Sequence, residues 1–200
     1  MDRLRVGRMT VDELREELRR GARDHEEPFV FLAEVALALG ERAGTVDLLD
    51  LFEQLKEVDA ARAVVFAAAE GDASAALVRS FLQPLLDDER DLVVAEALDG
   101  LASGQTSLKA MDVERLSHHP SPYVRGALLR YVARVQGRSA IPSLMTGLHD
   151  SSHVVRQNAI DELEDLEARD AIPALRLMLT DSHHHVRDAA RYALQALAEK

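Results

Sequence analysis

A 31-residue repeat is the feature of this sequence that most restricts its fold. Three kinds of position carry the repeat: Val-Arg at 124–125, 155–156 and 186–187; Ile-Pro at 141–142 and 172–173; and the aspartates Asp88, Asp150 and Asp181, with His119 in the intermediate place. Several columns that keep one period indicate repeated structural units. Such units stack on their neighbours and share one apolar core.

Each unit has the pattern of two helices joined by a short turn. The first helix follows the polar turn Asp150-Ser151-Ser152, whose side chains can accept hydrogen bonds from the free N–H groups of a first helical turn. The second begins at Ile172-Pro173, because proline is tolerated where an N–H has no helical partner. It is expected to bury Ile172, Leu175 and Leu179. Aromatic residues make up only 4% of the chain, which disfavours strands.

The helical phase extends back to residue 28 and predicts the whole architecture. First helices are expected to start near residues 28, 59, 90, 121, 152 and 183. We therefore predict an all-α fold, a right-handed α-α superhelix (solenoid) of about five helical hairpins plus a terminal helix. The expected single domain, 1–200, comprises an N-terminal capping helix (1–24), degenerate acidic repeats (28–119) and regular repeats (120–200). Thr10 and Glu13 have the spacing of a capping box, and one second helix is expected from Ala73 to Leu86.

From about residue 88 onward the repeat resembles a known family. An aspartate, a short polar turn, Val-Arg and then Ala-Ile-Pro-x-Leu-x-x-x-Leu resemble the HEAT-like repeats named after phycobilisome lyases. The resemblance implies an α-solenoid but no single function, because such repeats serve many unrelated proteins. It also implies a structural ladder in which charged residues of successive units hold the hairpins together: Asp150, Asp181, Arg125, Arg156 and Arg187.

The negative charge of the chain is concentrated in its first half. The net charge is −11, and residues 25–100 alone carry five basic and seventeen acidic residues, a net charge of −12. A field of this sign attracts basic proteins and repels the phosphates of nucleic acids. We therefore expect a basic protein partner and no DNA. The best candidate contact is a negative stripe expected on one helix: Asp47, Asp50, Glu53 and Glu57.

Further contacts are expected on the second helices, which usually line the inner surface of a solenoid. Outward positions on these helices hold Asp112 and Arg115 in one repeat and Arg176 and Leu177 in a later one. Leu177 stands where the preceding repeat has Thr146. It is either an exposed apolar contact or a residue that packs on the last helix.

Histidine is the residue type that best supports an enzymatic hypothesis. Seven of the eight histidines lie in the second half, at the predicted hairpin turns. The repeat places His153 over His184, and a zinc, nickel or iron ion between the last two turns would use His149, His153 and His184. The alternative function is therefore a metal- or small-ligand-dependent enzyme. The other interpretation is that exposed polar turns tolerate histidine, and it requires no cofactor.

We favour a non-enzymatic scaffold or adaptor that uses its acidic half to bind a basic protein. The chain has no cysteine and no apolar stretch of about 18 residues that could span a membrane. We expect a cytoplasmic protein that binds neither membrane nor cofactor. An immunity or antitoxin-like inhibitor of a nucleic-acid-degrading toxin is a specific form of this hypothesis. The sequence does not indicate an oligomeric state.

Overall fold

Short α-helices follow one another along the chain. The structure, a computed structural model, describes residues 5–72 and 74–199, and within them it contains helices and turns but no strand. The α-helices from Val11 onward are α1 (Val11–Arg20), α2 (Pro28–Ala43), α3 (Thr45–Phe52), α4 (Val58–Glu70), α5 (Ala75–Leu82), α6 (Asp91–Ser103), α7 (Ala110–Ser117), α8 (Pro122–Gln136), α9 (Ile141–Gly147), α10 (His153–Asp165), α11 (Ile172–Met178) and α12 (His184–Glu199). Short 3-10 helices occur at Pro84–Asp87, Gly137–Ala140 and Arg169–Ala171. The all-α prediction is confirmed.

The observed helix starts agree with the predicted 31-residue phase. Each start lies within one residue of its predicted place: Pro28 for α2, Val58 for α4, Asp91 for α6, Pro122 for α8, His153 for α10 and His184 for α12. Between these first helices lie the shorter second helices α3, α5, α7, α9 and α11, of seven or eight residues each.

Local sequence sets where the helices begin and end. The hydroxyl of Thr10 accepts a hydrogen bond from the N–H of Glu13 at 3.3 Å, and the Glu13 carboxylate accepts one from the N–H of Thr10 at 2.7 Å. This is the predicted capping box of α1. Gly21 ends α1 with a φ of 73°, a backbone conformation that favours glycine. Pro142 and Pro173 lie in the first two positions of α9 and α11, as predicted.

The chain divides into two compact units, Met1–Gly104 and Gln105–Lys200. The boundary lies between α6 and α7, the two helices of the hairpin that begins near residue 90, whereas the predicted change from degenerate to regular repeats lies between residues 119 and 120. In the first unit α1 packs on α2, α2 on α4, and α4 on α6. In the second unit α8 packs on α10 and α10 on α12, with α9 and α11 against the same layer.

Small residues allow the helices within each unit to approach closely. In the first unit α4 is rich in buried alanine, and a Cβ on Gly100 of α6 would lie 3.0 Å from the Cβ of Ala69. In the second unit a Cβ on Gly147 of α9 would lie 2.6 Å from Leu129 and 3.1 Å from Ala159. Cores packed at this density do not accept an added methyl group without displacement.

Two details of the predicted helices are different in the structure. The second helix expected from Ala73 to Leu86 is the shorter α5 followed by a 3-10 turn, because Pro84 has no N–H with which to continue the α-helix. Ala73 lies outside the described residues, as do residues 1–4 of the capping segment. Leu179 is 39% exposed instead of buried, because α11 ends at Met178 and Leu179 enters the following turn.

Candidate functional site

Two arginine–aspartate pairs link successive turns of the second unit. Arg125 of α8 donates from Nε and Nη2 to the two carboxylate oxygens of Asp150, each at 2.8 Å. Arg156 of α10 makes the same two contacts with Asp181, also at 2.8 Å. These bidentate contacts lower the pKa of both aspartates. Each pair therefore joins a first helix to the turn that precedes the next first helix.

The remaining contacts of this ladder are made within each turn. The Nη1 atoms donate to backbone carbonyls at the start of the same turn: Arg125 to His119 at 2.7 Å, Arg156 to Asp150 at 2.9 Å and Arg187 to Asp181 at 2.8 Å. Asp150 and Asp181 also accept from the N–H two residues ahead. The five residues of the implied ladder thus hold the backbone of these turns.

His119 occupies the aspartate position of the preceding turn and makes an equivalent contact. Its Nδ1 accepts from the N–H of Ser121 at 3.1 Å, as Asp150 accepts from Ser152. One period earlier Asp88 accepts from the N–H of Arg90 at 2.8 Å. A side chain that accepts this backbone hydrogen bond therefore occurs in the turns of both units. In the first unit, however, Val94 stands where the ladder has an arginine.

Arg90 supplies the missing guanidinium in the first unit. It pairs with Asp88 at 2.8 Å and donates to the carbonyl of Leu55 at 3.0 Å. Arg90 lies directly before α6 and outside the Val-Arg column, so a comparison of repeated columns does not reveal this role. Hydrogen bonding to Asp88, and then the nearby charges of Glu89 and Glu53, raise the pKa of Arg90. The turns after α3 and before α6 therefore lie side by side.

The predicted metal site is not formed. His153 stacks on His183, with ring centroids 3.6 Å apart, and not on His184. The side chain of a residue at a helix start leans toward the N-terminal turn, which moves the contact back by one residue from the repeat register. His149 lines a separate groove of the second unit, which is described below. In the described part of the chain no group of three histidine, aspartate or glutamate side chains is placed to hold a metal ion.

The expected acidic stripe is divided between different roles. α3 ends at Phe52, so the four acids do not share one helix. Asp47 is bound by Arg15 through two contacts of 3.0 and 2.5 Å. Glu57 precedes α4 and accepts from the N–H of Ala60 at 2.8 Å as its cap. Only Asp50 and Glu53 remain exposed and available to a partner.

The other predicted partner contacts lie on the second unit. Asp112 is half-buried and lies 3.8 Å from Arg115 in a helical ion pair. Arg176 and Leu177 are exposed, and 66% of Leu177 is accessible. This exposure favours the first alternative, an exposed apolar contact, over packing on the last helix.

A groove of about 450 Å³ lies in the second unit, between α7 and α9 above α8. Its lining includes the apolar residues Val113, Leu128, Leu129 and Val132 and the polar residues Glu114, Ser117, Ser143, Thr146 and His149. Arg125 and Asp150 also line the groove. A cleft with this lining can accept an apolar side chain of a bound peptide.

Unpaired negative charge distinguishes the first unit. Of the five basic residues between 25 and 100, Arg42 binds backbone carbonyls, while Arg62 and Arg90 pair with nearby acids. Nine exposed acids in the same range make no side-chain hydrogen bond or ion pair with residues that the structure describes: Glu26, Glu27, Glu41, Asp50, Glu53, Glu70, Asp72, Glu89 and Asp91. The first unit therefore carries uncompensated negative charge.

The repeat geometry agrees with the family model that the sequence matches. Residues 113–195 match the family described as HEAT repeats. The predicted resemblance to HEAT repeats is confirmed for these residues. The match does not single out the phycobilisome-lyase type. No curated protein matches the chain.

Solved structures are similar in fold over nearly the whole chain. An engineered protein solved by a structural genomics consortium is 17% identical, with a TM-score of 0.54, over 99% of this chain and 96% of its own. A designed armadillo repeat protein in complex with the peptide (KR)4 is 19% identical, with a TM-score of 0.53, over 98% of both chains. At these identities the likeness shows the fold alone. No helix in the described residues is both long and apolar enough to cross a membrane.

Proposed function

We propose that this chain is a protein-binding scaffold whose first unit receives a basic segment of a partner protein. The observation that carries the proposal is the set of nine exposed carboxylates between residues 25 and 100, combined with the internal use of Arg42, Arg62 and Arg90. Repeat folds offer an extended surface with many separate contact points. A basic segment can therefore meet several carboxylates at once.

The proposed contact surface, the acidic edge, consists of Asp50, Glu53, Glu89 and Asp91. Asp50 and Glu53 lie at the end of α3 and just after it, and Glu89 and Asp91 lie just before α6 and at its first residue. The hydrogen bond from Arg90 to the Leu55 carbonyl brings these two segments together. All four are exposed. The complex of a designed armadillo repeat protein with the Lys-Arg peptide (KR)4 supports this choice of ligand chemistry, since its repeats share the fold of this chain.

Electrostatics set the expected size of the effect. An exposed ion pair contributes roughly 0.5 kcal/mol at low salt, so four pairs amount to about 2 kcal/mol. That difference corresponds to a roughly 30-fold change in affinity. Because such pairs are screened over a distance of about 8 Å at physiological ionic strength, binding should weaken as salt is added.

The test is the binding of a fluorescent (KR)4 peptide, measured by anisotropy at two salt concentrations. The variant D50N/E53Q/E89Q/D91N is expected to bind about 30-fold more weakly at low salt. A matched control removes four exposed carboxylates of the second unit: E114Q/D165N/E167Q/D170N. The control should bind nearly as the parent does. Equal losses in the two variants, or an affinity that ignores salt, would contradict the proposal.

Binding of this kind could inhibit a basic partner directly. A nucleic-acid-degrading protein needs its cationic surface to hold phosphates, and the acidic edge would compete for that surface. Inhibition is the finer form of the proposed function. Titrating a purified basic nuclease with the chain measures it, since an inhibitor reduces cleavage stoichiometrically and loses this effect in D50N/E53Q/E89Q/D91N.

A further inference from the structure

Four histidines meet where α12 begins. We call His153, His183, His184 and His185 the histidine cluster. The ring of His183 stacks on that of His153, with centroids 3.6 Å apart and planes inclined by 16°. The ring centroid of His183 also lies 4.9 Å from that of His184 and 5.3 Å from that of His185. The cluster thus joins α10, which carries His153, to the turn and first residues of α12.

The buried ring nitrogen of His183 has no place for a second proton. Within the described residues, its Nδ1 is buried and has no hydrogen-bond partner. A neutral imidazole can carry its proton on Nε2 and leave Nδ1 bare, whereas an imidazolium carries a hydrogen on both nitrogens. Protonation would therefore create a buried N–H without an acceptor, which is costly.

The charges around the cluster do not favour an imidazolium either. The nearest acid, Asp181, is already bound by Arg156 through two contacts of 2.8 Å and accepts the N–H of His183. From α12, Arg187 adds a further positive charge at the carbonyls of this turn. Asp150, in the turn before α10, is bound by Arg125.

The helix dipole acts in the same direction. His184 and His185 are the first two residues of α12, a helix of sixteen residues. The N-terminus of a helix carries partial positive charge and disfavours cations there. Each proton added to the cluster is therefore opposed by the helix as well as by the neighbouring rings.

We propose that the histidine cluster is an acid-sensitive latch, whose protonation releases α12 from α10. α12 buries Val186, Ala190, Ala193 and Leu197 in the second unit. Release of the helix exposes this apolar face. Acidification would thus change the surface that the last repeat offers to a partner.

The direction of the pH dependence follows from the position of His183. Burial lowers its pKa most, the charges of the three neighbouring histidines lower it further, and Asp181 opposes them. The unfolded chain, with a histidine pKa of about 6.5, then binds the proton at a higher pH than the folded one. The stabilisation is present above that value and is lost as pH falls through the folded pKa.

Hydrogen–deuterium exchange of the full chain between pH 7.5 and 5.5, corrected for intrinsic rates, tests the latch. In the parent, protection of α12 is expected to fall relative to that of α8. His183→Gln should abolish most of this pH dependence. His118→Gln removes an exposed histidine of another turn and should behave as the parent does.

Asp161 of α10 contributes a pH dependence of the opposite sign. Burial, Glu164 and Asp165 raise the pKa of Asp161 to about 6, which gives stability that is lost as pH rises, the opposite direction. The parent, His183→Gln and His118→Gln all retain Asp161, so its contribution cancels when their pH profiles are compared. The same loss of α12 protection in the parent and in His183→Gln would overturn the proposal.

NMR titration of the imidazole Cε1–H signals keeps the test independent of any variant. In the parent, the pKa of His183 should lie below about 6.5, the ordinary value for histidine. A His183 pKa at or above that value would overturn the latch. If His183→Gln does not fold, His153→Gln replaces it in the exchange experiment, with the same expected loss of pH dependence.

Discussion

Replacing Asp181 with asparagine is expected to destabilise the second unit by about 3 kcal/mol. Asp181 accepts three hydrogen bonds, two from Arg156 and one from the N–H of His183. Asparagine retains one acceptor oxygen, but its amide nitrogen carries hydrogens that face a guanidinium nitrogen. The Arg156 charge then loses its only bidentate partner within the described residues.

The magnitude follows from how little water reaches the pair. The side chains of Arg156 and Asp181 are 12% and 9% exposed. Removing one partner of a buried ion pair costs about 3–5 kcal/mol, and residual exposure places this pair at the lower end. An exposed pair on the same unit gives the comparison. Asp188 and Arg191 lie 2.7 Å apart but are 46% and 63% exposed, so D188N should cost less than about 0.5 kcal/mol.

Urea denaturation of the parent, D181N and D188N measures the difference. Because the chain has two compact units, the transition should be followed by exchange or fluorescence probes placed in the second unit as well as by circular dichroism. D181N should shift the midpoint of the second unit strongly, and D188N should leave it almost unchanged. Similar losses in the two variants would refute the idea that the ladder holds the hairpins together.

Two further substitutions test packing. The hydroxyl of Tyr131 accepts a hydrogen bond from the N–H of Leu108 at 2.7 Å. Y131F should therefore lower the free energy of unfolding by about 1–3 kcal/mol and raise hydrogen exchange at residues 106–108, whereas Y192F, at an exposed tyrosine, should do neither. Equal stability of the two variants would contradict this role. G147A should destabilise by about 1–2 kcal/mol, because the new Cβ lies 2.6 Å from a side chain, while G40A, with 3.6 Å of space, should be neutral or stabilising in thermal melts.

The 31-residue period predicts the helices well because it records the apolar spacing that stacking requires. Helix starts at Pro28 and Val58 follow it even though the Val-Arg and Ile-Pro columns are absent there. Backbone capping is also local, so Thr10 and Glu13 reveal it directly. These signals depend on residues within a few positions of each other.

The candidate site was harder to predict, because it depends on side chains that are distant in sequence. The sequence predicts Asp47 as a partner contact, but Arg15 of another helix forms an ion pair with it. The sequence also predicts Glu57 as a surface charge, but its carboxylate caps the helix that follows. His153 meets His183 and not His184, since side-chain direction shifts the contact by one residue. A repeat period fixes which turns are neighbours but not which atoms meet.

Zero-length cross-linking tests the central claim most directly. A carbodiimide joins carboxylates to the lysine amines of a bound (KR)4 peptide, and mass spectrometry then identifies the carboxylates. The acidic run between Asp161 and Glu167 in the second unit serves as the internal comparison. The account predicts cross-links at the acidic edge, Asp50, Glu53, Glu89 and Asp91, which disappear at high salt. Cross-links concentrated at 161–167, or spread equally over both units, would contradict it.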